Sequence, residues 1–210
     1  MIHVFLITFT ITLIYIGIAN RMSTFIKILA LQGILLFGLS FSELHDISTL
    51  NLVFILLETI LFKTIVIPLF INYLIKRNKI TREVEPYLPN FASLVIVTLI
   101  ILASSLLSMT IDNSPVYTIY FVVALSSLFT GLYIIITRRK IITQLMGFLV
   151  VENGVFILSL AVGSKMPMLV NTGILLDFFV SVLVTGIFVN KIGDVFKEPD
   201  VNHLSQLRDL

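Results

Sequence analysis

Long apolar runs alternate with short polar connections along the whole chain. A helix needs about 20 mainly apolar residues to cross a bilayer, and seven runs are long enough. They are Ile2 to Ala19, Phe25 to Phe41, Leu52 to Ile75, Phe91 to Thr110, Val116 to Thr137, Ile141 to Val162 and Met168 to Asn190. The pattern predicts an all-α polytopic membrane protein with about seven transmembrane helices.

Composition excludes several classes of protein. Hydrophobic residues make up 58% of the 210 positions and charged residues 12%, and the mean hydropathy is +1.08, too apolar for a soluble domain. The absence of cysteine excludes thiolate-held iron–sulfur and zinc sites in this chain. The three histidines lie at ends or in connections, and no phosphate-binding loop or nucleophile motif is present. We therefore expect neither a self-contained enzyme nor a nucleic-acid partner.

Basic residues fall on alternate connections between the predicted spans. Cytoplasmic loops carry the excess of lysine and arginine, so the N-terminus is predicted outside and the C-terminus in the cytoplasm. We expect the chain to lie in the inner (cytoplasmic) membrane of the cell. Termini on opposite sides of the membrane require an odd number of spans, and seven is odd. We expect Arg138, Arg139 and Lys140, between the fifth and sixth spans, to set topology and contact lipid headgroups.

The chain divides into two three-helix blocks that overlay at an offset near 120 residues. In that register Gln32 falls on Glu152, and Glu58 falls close to Asp177. Repeats of three helices are common in transporters, although chance could also produce two coincidences among so few polar residues. The predicted units are a membrane block at 1–78, a linker with the fourth helix at 79–113, a second block at 114–193 and a cytoplasmic tail at 194–210. The fourth helix carries only serines and threonines as polar residues. We therefore expect this helix to face lipid or to pack against other helices.

Four ionisable side chains lie deep inside the apolar runs: Glu58, Lys63, Glu152 and Asp177. A charge in hydrocarbon costs about 2.5 to 3.5 kcal/mol even on lenient insertion scales, so such residues usually face a partner or water and mark an ion path. We interpret Glu152 as a proton-carrying group, with a protonated interhelical hydrogen-bond donor as the alternative. For Asp177, helix pairing and proton relay both stay open. Gly147 and Gly154 should let another helix approach closely.

Lys63 shares a predicted helix with Glu58. In α-helical geometry five residues leave the two side chains about 140° apart, so Lys63 should pair with a carboxylate on another helix or another subunit. Pro68 can kink this span and free a backbone carbonyl. We expect Gln32 and Gln144 to bridge helices, and Asn153 to support Glu152.

Several of these residues occur in runs that resemble the hydrogenase-4 component E family. The runs are Arg139 to Phe148, Val151 to Gly154, Gly173 to Asp177 and Asp200 to Leu207, together with Lys63 to Pro68. That family resembles an enlarged form of the small subunit K of respiratory complex I and of the matching subunit of multisubunit cation/proton antiporters. The resemblance implies that Glu152 and Asp177 belong to a lateral hydrophilic axis, with Lys63 and less securely Glu58.

The resemblance implies a non-catalytic membrane subunit of an energy-converting redox complex of the nickel–iron hydrogenase or formate hydrogenlyase type, which moves H⁺ or Na⁺. Its expected partners are antiporter-like subunits of the complex I N, M and L types, an H-type subunit and a hydrogenase-type peripheral arm. Nickel–iron and iron–sulfur centres are expected in those partners and no cofactor in this chain. The alternatives are a scaffold between larger subunits, a subunit of a cation/proton antiporter complex, or an independent secondary transporter.

Overall fold

The described part of the chain is entirely helical. The computed structural model describes residues 1–43, 57–77, 86–109 and 115–161. Its elements are α1 (Ile2–Ile18), α2 (Met22–Glu43), a π-helical segment (Leu57–Val66), α3 (Ile67–Arg77), α4 (Asn90–Ser108), α5 (Pro115–Thr137) and α6 (Ile141–Ala161). The fold class is therefore that of a helical membrane protein.

Within the described ranges, four helices are long and apolar enough to cross a membrane. They are Met22–Ser42, Asn90–Ser108, Thr118–Thr137 and Ile141–Leu160, and Ile2–Ile18 is a shorter apolar helix. Six predicted spans thus coincide with helical structure. The seventh, Met168 to Asn190, lies outside the described residues, so the total of seven stays a prediction.

The described part of the third predicted span, from Leu57 onward, is one continuous helix that changes type within its length. Its first part is the π-helical segment, and α-helical geometry begins at Ile67, one residue before Pro68. Proline lacks the N–H that would bond the carbonyl four residues earlier, which is Thr64 in this sequence. The change of geometry occurs where the sequence removes an ordinary α-helical hydrogen bond.

Two pairs of helices are joined by connections of three residues. Ala19, with φ −67° and ψ 131°, leads from α1 into α2, and Arg138 to Lys140 joins α5 to α6. Such short connections make the helices antiparallel neighbours. The end of α1, the start of α2 and the α5–α6 turn consequently lie at one end of the bundle.

The closest helix pair is α5 with α6, and small residues permit that approach. A Cβ added at Gly131 would lie 2.7 Å from the backbone nitrogen of Val151, and one at Gly147 would lie 3.0 Å from the carbonyl oxygen of Gly131. Gly154 has the same relation to Leu128, at 2.9 Å from its nitrogen. The predicted close approach at Gly147 and Gly154 is confirmed, with Gly131 as its counterpart on α5.

Helix α4 packs against α1 and α5 through its small residues. Ser93, Val97, Ser104 and Ser108 are its buried positions, and the hydroxyl of Tyr133 donates to Ser93 Oγ over 2.8 Å. A Cβ at Gly17 of α1 would meet Val97 at 2.8 Å. The prediction that this helix would be lipid-facing or packing is confirmed, because one face packs and large apolar residues on the rest are exposed.

Candidate functional site

A lysine and a glutamate from different helices meet inside the bundle. Lys63 Nζ lies 2.8 Å from Glu152 Oε1, and the two side chains are only 5% and 8% exposed. The ammonium group also lies 4.7 Å from the centroid of the Phe156 ring. The carboxylate that Lys63 was predicted to find on another helix is therefore Glu152. Pairing lowers the cost of holding both charges away from water.

The π-helical segment and α2 together position Lys63. A Cβ added at Gly33 would lie 2.6 Å from Thr64 Oγ1 and 3.2 Å from the carbonyl carbon of Lys63. Only glycine allows α2 to approach the segment this closely. Because π-helical hydrogen bonds join residues five apart, Glu58 and Lys63 lie roughly one turn apart. The predicted angle of 140° assumed α-helical geometry, which the backbone of this segment does not have, and the Glu58 side chain lies outside the described part.

A line of neutral hydrogen bonds lies beside the ion pair. Asn153, adjacent to Glu152 in sequence, donates from Nδ2 to Gln32 Oε1 over 3.0 Å. Gln32 Nε2 donates in turn to Thr12 Oγ1 over 2.9 Å, and the Thr12 hydroxyl donates to the carbonyl of Phe9 over 2.6 Å. These bonds connect α6, α2 and α1 through fully buried polar groups. The prediction that Gln32 bridges helices is confirmed, and Asn153 is its partner.

A small cavity adjoins the ion pair. Its volume is about 10 Å³ and its lining comprises Leu29, Lys63, Ile67, Leu149, Glu152 and Asn153. A cavity needs roughly 10 to 15 Å³ to hold one water molecule with polar partners. The space beside Lys63 and Glu152 is thus close to the size of a single water. A carboxylate, an ammonium and an amide could each bond to it.

The basic turn between α5 and α6 differs from its prediction. Arg138 is only 1% exposed, so the expected headgroup contact is wrong for this side chain. Its Nη2 donates to the carbonyl of Gly17 over 2.7 Å, and its guanidinium carbon lies 5.5 Å from the Phe25 ring centroid. Burial lowers the pKa of Arg138, and Tyr133 partly opposes that shift. Arg138 faces inward because α1 ends with backbone carbonyls that need donors.

The other predicted site residues separate into two groups. Gln144 does not reach across the bundle; its Nε2 donates to the carbonyl of Arg138 over 3.0 Å and holds the turn. Glu58 lies on the π-helical segment, but its side chain is outside the described part, and Asp177 lies beyond the described residues. Their proposed roles in an ion path stay predictions. Over the ranges described, no cluster of histidine, cysteine or acidic side chains could hold a metal ion.

Sequence reasoning missed three contributors to this site: Gly33, Thr12 and Phe156. Gly33 had a detectable signal, because Gln32-Gly33 repeats the amide–glycine pattern of Asn153-Gly154 near the offset of the two blocks. Thr12 is one of several threonines in α1, and Phe156 is one of 17 phenylalanines. Nothing in the sequence distinguishes these two from their neighbours.

Comparisons with known proteins give partial matches. An uncharacterized protein of Mycobacterium tuberculosis is 28% identical over 130 residues, which are 61% of this chain and 59% of that protein. Hydrogenase-4 component E of Escherichia coli K12 is 33% identical over 86 residues, 41% of this chain and 40% of that protein. The Shigella flexneri counterpart gives the same values. The chain is a distant, partial homologue of hydrogenase-4 component E. No family model and no solved structure matches it.

Proposed function

We propose that this protein is a membrane subunit of a hydrogenase-type complex and that Lys63 and Glu152 contribute to H⁺ or Na⁺ translocation. The homology to hydrogenase-4 component E supports the class of complex. The observation that carries the role in translocation is the buried contact of 2.8 Å between Lys63 Nζ and Glu152 Oε1. Ionisable groups inside membrane spans typically mark ion paths.

The mechanism follows from the coupling of the two charges. A proton added to Glu152 leaves the Lys63 ammonium without its counter-charge in a buried site. Because the two charges lie close together and away from water, each strongly stabilises the other. A redox event in a partner would act on this pair through its field. Asp177 and Glu58 would extend the path in the proposed lateral axis, and nickel–iron and iron–sulfur centres would belong to the partners.

The expected partners are those of an energy-converting complex: antiporter-like membrane subunits, an H-type subunit and a peripheral hydrogenase arm. The proposed location is the inner membrane, with the N-terminus outside and the C-terminus in the cytoplasm. A pull-down of the full chain in mild detergent, followed by mass spectrometry, tests this part. Recovery of a nickel–iron large subunit with antiporter-like subunits supports it, and recovery of the chain alone contradicts it.

A scaffold role is the second candidate, and the neutral interhelical hydrogen bonds of Asn153 and Gln32 beside the ion pair favour it. The direct contact between Lys63 and Glu152 also suits a fixed link between two helices. The two functions differ in their response to Glu152→Gln. This change removes the charge but keeps the shape, so loss of ion pumping in an intact complex supports translocation. Loss of assembly, or unchanged pumping, supports the scaffold.

A matched control for that experiment is Thr98→Val. Thr98 lies on α4, and its hydroxyl donates only to the carbonyl of Leu94, four residues earlier on the same helix. Thr98→Val removes one polar group from a membrane helix while keeping the side chain at a similar size. We expect pumping and assembly to match those of the unaltered complex. Pumping is measured as the pH change inside sealed vesicles that contain the complex.

A further inference from the structure

An open groove lies at the end of the bundle where α1 stops and α2 and α4 start. It has a volume of about 550 Å³ and is lined by Asn20, Arg21, Pro86, Tyr87, Leu88, Pro89 and Asn90. Two of these side chains are amides and one is a guanidinium. Among these lining residues none is acidic. The groove therefore offers hydrogen-bond donors and a positive charge.

A second arginine adds positive charge to one wall of this groove. The guanidinium of Arg139 lies 4.7 Å from the ring centroid of Tyr87, which lines the groove. Backbone contacts hold the wall in place: the N–H of Tyr87 donates to the carbonyl of Thr137 over 3.0 Å, and Pro86 pairs with Arg138. Arg139 Nε has no hydrogen-bond partner. The basic turn of α5 and α6 is thereby fixed behind the groove.

The helix that starts at the groove adds to the positive electrostatic potential there. Helix α4 begins at Asn90 after Pro89, without a side-chain cap and without an acidic residue in its first turn. Its first backbone N–H groups have no partner within the helix, and the positive end of the helix dipole lies there. Arg21, Arg139 and this helix start make the groove a favourable site for an anion.

The level of the groove relative to the bilayer favours a lipid phosphate over a free anion as its ligand. It lies at the ends of membrane-length helices, where the headgroups of the bilayer are found. A stripe of exposed apolar residues on α4 begins at the residue after Asn90: Phe91, Val95, Leu99, Leu102 and Leu106. An acyl chain can lie along this stripe while the phosphate stays in the groove. Basic pockets between transmembrane helices are known sites for anionic headgroups.

We propose that this groove binds the phosphate of one anionic phospholipid, with Arg21 as its charged contact and with Arg139 adding positive charge from behind Tyr87. Asn20 and Asn90 donate the neutral hydrogen bonds. The lipid bridges the α1–α2 turn and the start of α4. The site is independent of the Lys63–Glu152 pair and of any hydrogenase partner.

Native mass spectrometry of the delipidated full chain tests this proposal. The chain is titrated with dioleoyl-phosphatidylglycerol, with dioleoyl-phosphatidylcholine and with inorganic phosphate. We expect one phosphatidylglycerol to bind in preference to phosphatidylcholine, and millimolar phosphate to leave it bound. Arg21→Gln should weaken that binding about fivefold, since one basic side chain near an anionic headgroup contributes this much. Arg21 is exposed, so the change should leave the fold intact.

Lys76→Gln is the matched control. Lys76 is exposed near the end of α3, and its loss removes one positive charge outside the groove. An unchanged phosphatidylglycerol affinity in this variant supports the site. Equal weakening in both variants would reveal general charge attraction and overturn the proposal. Equal binding of phosphatidylcholine, or displacement of the lipid by inorganic phosphate, would overturn it as well.

Discussion

Asn153 on α6 donates a hydrogen bond of 3.0 Å to Gln32 on α2, and so joins the neighbour of Glu152 to a residue of the first half of the chain. The bond lies between helices that are far apart in sequence. It also lies beside the ion pair, because Asn153 directly follows Glu152 on α6. The neutral amide pair therefore supports the charged pair.

The first prediction concerns this amide pair. Gln32→Ala removes the partner of Asn153 and of Thr12, and each polar group is left buried. A double-mutant cycle with Asn153→Ala should give a coupling of about 0.6 to 1.7 kcal/mol in the free energy of unfolding, the range for hydrogen bonds within membranes. Unfolding in a denaturing detergent measures it. Strict additivity of the two single changes would show that the bond contributes nothing.

The second prediction separates the charges of the ion pair. Lys63→Met leaves Glu152 buried without its counter-charge, which should lower the free energy of unfolding by about 3 to 5 kcal/mol. The double variant Lys63→Met with Glu152→Met removes both charges and should recover most of that loss. Both are compared by detergent unfolding. A double variant no more stable than the single one would mean that the pair is not isolated from other charges.

Much of the fold could be predicted from hydropathy alone, because each span must satisfy its backbone hydrogen bonds internally. The starts of α5 and α6 at Pro115 and Ile141 lie within one residue of their predicted positions. The partner of Lys63 was open in the sequence, since several carboxylates were available. Distance alone identified Glu152.

Two features could not have been predicted by the same reasoning. The π-helical geometry of Leu57–Val66, which packs closely against Gly33, leaves no signature in the hydropathy pattern. The burial of Arg138 follows from the position of the α1 carbonyls, whereas a run of three basic residues in sequence ordinarily indicates an exposed turn.

The third prediction tests the close approach of α5 and α6. Gly131→Ala places a methyl group within 2.7 to 2.8 Å of backbone atoms of Val151 and Gly147, so the helices must move apart. We expect a loss of about 1 to 3 kcal/mol in the free energy of unfolding. Leu132→Ala, at a residue that is 45% exposed, is the control and should cost less. A stable Gly131→Ala variant would contradict the packing described above.

The fourth prediction concerns the anchoring of α1. Arg138→Lys keeps the charge but loses the planar group that contacts both the Gly17 carbonyl and the Phe25 ring. Loss of a charged hydrogen bond to a buried acceptor should destabilise the protein by about 1.5 to 3 kcal/mol. Lys27→Ala, an exposed basic residue on α2, is the charge control. Equal melting temperatures for the Arg138→Lys protein and the unaltered protein would show that the contact is dispensable.

The π-helical segment also sets the rotational phase of the third span. The wider π-helical turn determines the direction of the Lys63 side chain relative to the side chains of α3. Deleting one residue from the segment would turn its first part by about 100° against α3. Lys63 would then point away from Glu152, while Pro68 would keep its position. The wider π-helical turn thus directs the Lys63 ammonium group at the carboxylate of Glu152.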